Sequence, residues 1–101
     1  MYDHCDSYRF TADTNAALPT QTKIHKISLL NGTLTATASI KVHDAATVTG
    51  DPVAEVHADL KDGTTYRQRV DMDFNPPLFM EIAASLDITG SSAVGYIYYT
   101  R

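Results

Sequence analysis

Ala36-Thr37-Ala38-Ser39-Ile40-Lys41-Val42-His43 is the stretch on which the fold turns. Ala36, Ala38, Ile40 and Val42 take alternate positions, and Thr37, Ser39 and Lys41 fill the places between them. Successive side chains of a strand point to opposite faces, so this period of two describes a strand with one buried face and one wet face. The strand covers about Thr33–His43. Upstream, Lys23–Leu30 is also read as a strand, and Asn31-Gly32 follows it. Asn-Gly between apolar runs is a strong hairpin signal, because a type I′ turn needs two residues at positive φ. Downstream, a polar loop over Asp44–Asp51 contains Gly50.

The alternation continues to the end of the chain. Pro52 opens a strand over Val53–Leu60, with Ala54, Val56, Ala58 and Leu60 on one face and Glu55, His57 and Asp59 on the other. Asp62-Gly63 predicts a second tight turn. The strand over Thr64–Phe74 places Tyr66, Val70, Met72 and Phe74 inward and Arg67, Arg69, Asp71 and Asp73 outward. Asn75-Pro76-Pro77 is expected to break the ladder, since proline has no backbone N–H to donate. Leu78–Leu86 follows as a strand, and Glu81–Leu86 is the one place where a short helical turn is an alternative. Gly90-Ser91-Ser92 turns the chain into the last strand, Ala93–Thr100. No segment sustains a 3.6-residue period. Short, regularly spaced strands with turn signals between them predict an all-β protein: a single jelly-roll-like β-sandwich of six to eight antiparallel strands joined by hairpins.

The chain has 101 residues, enough for one domain. The charged fraction of 20% beside 44% hydrophobic residues places it among ordinary globular chains and excludes a disordered one. Two parts are distinguished. Residues 1–22 interrupt short apolar pieces with Asp, Asn, Thr and Pro and predict an extended N-terminal arm with at most one short strand; residues 23–101 form the sandwich.

Charge excludes one class of partner. The net charge is -4, and the densest basic stretch, Lys61 with Arg67 and Arg69, is interleaved with Asp59, Asp62, Asp71 and Asp73. Binding to nucleic acid needs an uncompensated cluster of Lys and Arg, so none is expected. No run approaches the ~20 apolar residues of a membrane helix. The single cysteine, Cys5, permits no internal disulfide, and Met1-Tyr2-Asp3-His4 lacks the basic start and apolar stretch of a secretion signal. These features are those of a chain made and folded in a cytoplasm.

The residues that carry chemistry are scattered. His4-Cys5-Asp6 is the only local cluster with metal-ligand character, and it lacks a partner pair. His43-Asp44 has the character of a strand end running into an Asx-type turn. His25 and His57 are read as exposed strand residues. Asp71 and Asp73 offer too few oxygens for calcium. There is no G-x-S-x-G elbow and no Gly-rich phosphate loop. Asn31-Gly32-Thr33 fits a glycosylation pattern, but its turn role accounts for it. Gly95, inside the last strand, marks a bulge or a close backbone approach. No enzyme activity, metal or cofactor is expected. The last strand instead carries Tyr96 and Tyr98 on one side and Ile97 and Tyr99 on the other. Tyrosine is enriched where subunits meet, so Tyr96, Tyr98 and Tyr99, with Tyr2, Tyr8 and Phe10 of the arm, are the candidate interface residues.

The order of features over Lys23–Arg101 resembles small tailed-bacteriophage virion proteins of the head decoration, cement or fibre type. Ile40 to Gly50, IKVHDAATVTG, is similar to their strand, Asp, small polar loop and Gly element. Phe74-Asn75-Pro76-Pro77-Leu78 is similar to their aromatic-x-Pro-Leu crossing, and Val94–Thr100 to their final Tyr- and Thr-rich strand. Phe79-Met80-Glu81 departs from the pattern, since it lacks the glycine often found before the next strand. The resemblance implies a non-enzymatic capsid decoration or cement protein that binds between major capsid subunits and self-associates as a trimer on the virion. A tail, connector or fibre component is the alternative within that class. A carbohydrate-binding module, using Tyr66, Tyr96 and Tyr98, is the alternative outside it.

Overall fold

The computed structural model describes residues 5–31, 37–58, 68–90 and 92–101. Eight strands follow one another: β1 (Asp6–Phe10), β2 (Thr14–Leu18), β3 (Lys23–Asn31), β4 (Ala38–Asp44), β5 (Ala54–Ala58), β6 (Gln68–Phe79), β7 (Ala84–Thr89) and β8 (Ala93–Thr100). They form two four-stranded sheets in the orders β1-β8-β3-β6 and β2-β7-β4-β5, with every pair antiparallel. This is the strand order of a jelly roll. The all-β sandwich expected from the strand patterns is the fold observed, and its smallest extent of 18 Å suits two sheets packed face to face.

On β4 and β5 the inward residues come from the predicted faces. Ile40 and Val42 of β4, Val56 and Ala58 of β5, and Ile97 of β8 are buried, as are Ile24, Ile27 and Leu29 of β3 and Leu86 of β7. Complete burial of each large aliphatic side chain contributes about 1.5–3 kcal/mol, which makes these rows the main source of stability. Val70, Met72 and Phe74 of β6 are half-buried against the same core.

The connections differ from expectation. β3 hydrogen-bonds to β6 and β8, while β4 bonds to β5 and β7, so β3 and β4 belong to different sheets and form no hairpin; Gly32 of the expected turn lies outside the described residues. Asn31 itself is a fully buried strand residue opposite Ala93 and Gln68. Asp62-Gly63 lies outside the described residues, but β5 and β6 also belong to different sheets. Among the described residues, β4 and β5 are the one consecutive pair that hydrogen-bond to each other. A period of two tells a strand which face to bury but not which neighbour to take. In a two-layer fold, consecutive strands can satisfy the same pattern from opposite layers.

The proline step also behaves differently. β6 runs through Asn75-Pro76-Pro77, where the Asn75–Pro76 peptide is cis, and rejoins β3 at Ile24↔Leu78 and Lys23↔Phe79. The ladder is interrupted there rather than ended. An edge strand tolerates this, because one side of it has no ladder to lose. No helical turn forms at Glu81–Leu86: Ala84–Leu86 lie in β7.

Residues 6–18 do not hang free as an arm. They supply the outer strand of each sheet, β1 beside β8 and β2 beside β7. Phe10 is 4% exposed and Leu18 is buried in the core. Gly95 explains how Phe10 fits: a Cβ built there would lie 2.5 Å from the Phe10 ring, so the missing side chain is the space the ring occupies.

Candidate functional site

The outer face of the β1-β8-β3-β6 sheet gathers the most chemistry. The register sets it out in rows. Ser7, Tyr98, Lys26 and Asp73 form one row across the four strands; Arg9, Tyr96, Ser28 and Asp71 form the next; Val94, Leu30 and Arg69 form a third. Each row alternates with an inward one, such as Tyr8, Ile97, Ile27 and Met72. Neighbours within a row stand ~5 Å apart at Cβ and interact directly.

At the centre is Asp71. Ser28 Oγ donates to its Oδ1 at 2.6 Å, Arg69 Nε donates to the same oxygen at 3.2 Å, and Lys26 Nζ lies 3.6 Å from Oδ2. The Ser28 hydrogen bond, with help from Arg69 and Lys26, holds the Asp71 carboxyl below its ordinary pKa, against a smaller opposing effect of burial. Lys26 Nζ also stands 5.7 Å from the centroid of the Tyr98 ring, within cation–π range. Ser28 is buried beneath this layer, whereas the Arg69 side chain is 60% exposed. Ser28, Leu30, Arg69, Tyr96 and Tyr98 enclose an open hollow of about 260 Å³. The Ser28 hydroxyl is engaged as a donor to the Asp71 carboxylate.

The candidate interface residues are divided by the fold. Tyr96 and Tyr98 stand together on this outer face, half-buried. Tyr99 and Tyr8 pack partly buried against the core, and Tyr8 stacks on Phe10 with ring centroids 6.1 Å apart. Phe10 is a core residue and has no surface to offer a partner. Tyr2 and Tyr66 lie outside the described residues. Sequence patterning missed Ser28, Leu30 and Arg69 as companions of the tyrosines. Their outward parity was legible from Ile27, Leu29 and Val70, but the register that joins three distant strands was not.

The remaining candidates have structural roles. Asp44 ends β4 and accepts the backbone N–H groups of Glu81 (3.1 Å), Ile82 (2.8 Å) and Ala83 (3.4 Å), so it is a long-range clamp and not an Asx-type turn. His43 is 4% exposed, and neither ring nitrogen has a hydrogen-bond partner among the described residues. His25 sits at the irregular step in the β3 ladder and bonds Thr100 Oγ1 through Nε2 at 2.8 Å. His57 is exposed beside Glu55 at 3.3 Å. Cys5 is a half-buried free thiol, and His4 is outside the described residues. On the outer face of the second sheet, Asp87 lies opposite Lys41, and its pKa is raised, first by burial and then by the Asp13 carboxylate. Among the described residues, no group of three or more His, Cys, Asp or Glu is placed to hold a metal ion.

No family model, curated protein or solved structure matches this chain.

Proposed function

We propose that this chain is a non-enzymatic structural protein of a tailed-phage virion, a decoration or cement protein that self-associates as a trimer and binds between major capsid subunits. The observation that carries the reading is the jelly-roll strand order, an architecture used by viral capsid proteins. The inference is by fold analogy, together with the resemblance of Lys23–Arg101 to small virion proteins.

The contact surface best suited to this role is the turn between β6 and β7. Phe79 and Ile82 are exposed large apolar residues on either side of Met80-Glu81. The turn is tied down at both ends. Gln21 N and Met80 N bond to Met80 O and Thr22 O, Thr20 Oγ1 donates to Glu81 O at 2.6 Å, and Asp44 takes the next three N–H groups. A rigid turn loses little entropy on docking, so its apolar side chains contribute most of their burial to affinity. Deleting residues 1–20 would remove β1 and β2 and so test folding; Phe79→Asp with Ile82→Asp tests the surface.

The deciding experiment is quantitative mass spectrometry of virions purified from the cells that make the chain, with light scattering on the pure protein. Many copies on the scale of the capsid lattice and a trimeric mass are expected. Few copies, matching the symmetry of a portal or tail, would move the protein to the alternative position of tail, connector or fibre. Absence from the particle would end the reading.

A further inference from the structure

We propose that the hollow on the outer face of the β1-β8-β3-β6 sheet binds a single pyranose ring of a carbohydrate, stacked on Tyr96 and Tyr98 and hydrogen-bonded by Arg69. This goes beyond the virion reading and does not depend on it.

Size sets the first limit. The hollow holds about 260 Å³. Sites for drug-sized ligands run to roughly 300–1,000 Å³, so this one has room for one small ring that projects into solvent. A unit of a longer glycan meets that description.

Chemistry sets the second. Tyr96 and Tyr98 are two residues apart on β8 and share a face, which separates them by ~7 Å along the strand. The negative faces of their rings attract the weakly positive C–H groups on the flat side of a pyranose. Their hydroxyls can donate or accept. Arg69 adds a planar set of donors. Its Nε is held by Asp71, and no other described residue takes its terminal nitrogens. A guanidinium aimed by a carboxylate presents two parallel N–H groups to adjacent sugar oxygens.

Preorganisation is the third point. Asp71 is fixed by Ser28, Arg69 and Lys26 together, so Arg69 is oriented before any ligand arrives. Lys26 Nζ stands over one face of the Tyr98 ring, 5.7 Å from its centroid, so a sugar stacks on the other face. Ordering costs that would weaken a one-ring ligand have therefore been met within the sheet.

Other occupants suit the hollow less well. Lys26 and Arg69 share this face with the carboxylates of Asp71 and Asp73, so a phosphate backbone would find the cations interleaved with charges of its own sign.

The test is a backbone-amide NMR titration of the full chain, with the methyl glycosides of glucose, galactose, mannose, N-acetylglucosamine and glucuronic acid added separately. Additions to ~50 mM saturate a site with a Kd of ~1 mM. The expected result is saturable shifts, for at least one glycoside, confined to residues 28–30, 69–71 and 94–98. Tyr96→Ala and Arg69→Ala should each weaken binding about tenfold. Tyr98→Phe, which keeps the ring, and Arg69→Lys guard against loss of fold, and each should weaken binding by a smaller factor. No saturable shift with any glycoside overturns the proposal, as do shifts centred on the β4–β7 face. Concentration-dependent broadening of these same amides, with a rising mass in light scattering, also overturns it by showing the face covered by another copy. Absence of the protein from virions would leave this result untouched.

Discussion

Ser28 and Asp71 face each other across the β3–β6 ladder, and the buried hydroxyl donates to the carboxylate at 2.6 Å. This bond is the largest influence on Asp71 and lowers its pKa. A carboxyl with a lowered folded pKa stabilises the protein above its unfolded value of about 3.9, and that contribution is lost as pH falls through the folded value. Ser28→Ala should raise the Asp71 pKa toward the ordinary range in a carboxyl-carbon NMR titration. At pH 7 it should cost about 1 kcal/mol in urea unfolding, a figure kept small because Asp71 is partly exposed. An unchanged titration would show that the bond does not hold the charge.

Gly95 and Phe10 share one space. Gly95→Ala should destabilise by about 1–3 kcal/mol, since the new methyl group must displace the ring. Phe10→Leu alone leaves a cavity and should also destabilise. The double variant should be more stable than the sum of the two losses implies, because leucine leaves room for the methyl group. Strict additivity in chemical denaturation would refute the shared-space account.

Asp44 holds the β6–β7 turn through three backbone N–H groups. Asp44→Ala should cost about 1–3 kcal/mol and speed amide exchange at Glu81, Ile82 and Ala83 selectively. Asp44→Asn, which keeps one acceptor oxygen, should fall between. If exchange at these three amides does not change, the turn is held by its other bonds.

Asp87 works in the opposite sense to Asp71. Burial and the neighbouring Asp13 carboxylate raise its pKa. A group raised in the folded state contributes stability that is present below its unfolded pKa and lost as pH rises through the folded one. Charged Asp87 is therefore a cost at neutral pH. Asp87→Asn should stabilise the protein at pH 7 and give little or no gain at pH 3, measured as thermal midpoints across that range. A stabilisation equal at both values would place the effect elsewhere.

How much could be read without coordinates depends on the range of the interaction. The bounds of the last strand, Ala93–Thr100, and the alternations of Ile40–Val42 and Val70–Phe74 were legible because an extended run and a period of two are properties of one strand. Asn31-Gly32 misled because its turn preference is local, while the partner of β3 is chosen by layer packing with β6 and β8. The N-terminal residues misled for a related reason. β1 and β2 are five residues each, too short for a clear period, and they become strands only against β8 and β7. Tyr96 and Tyr98 stood out by composition. Ser28 and Arg69 did not, because nothing local distinguishes a serine or an arginine that will meet a carboxylate from one that faces water.

By itself the sequence determined an all-β chain and the inward sets of β4, β5 and β6, which follow from side-chain parity. Tertiary structure alone decided the order of strands in the two sheets, the entry of β1 and β2 into them, and the meeting of Ser28, Arg69, Tyr96 and Tyr98. Those depend on which strands pair. Pairing minimises exposed apolar surface and unbonded backbone over the whole molecule, so no single segment encodes it.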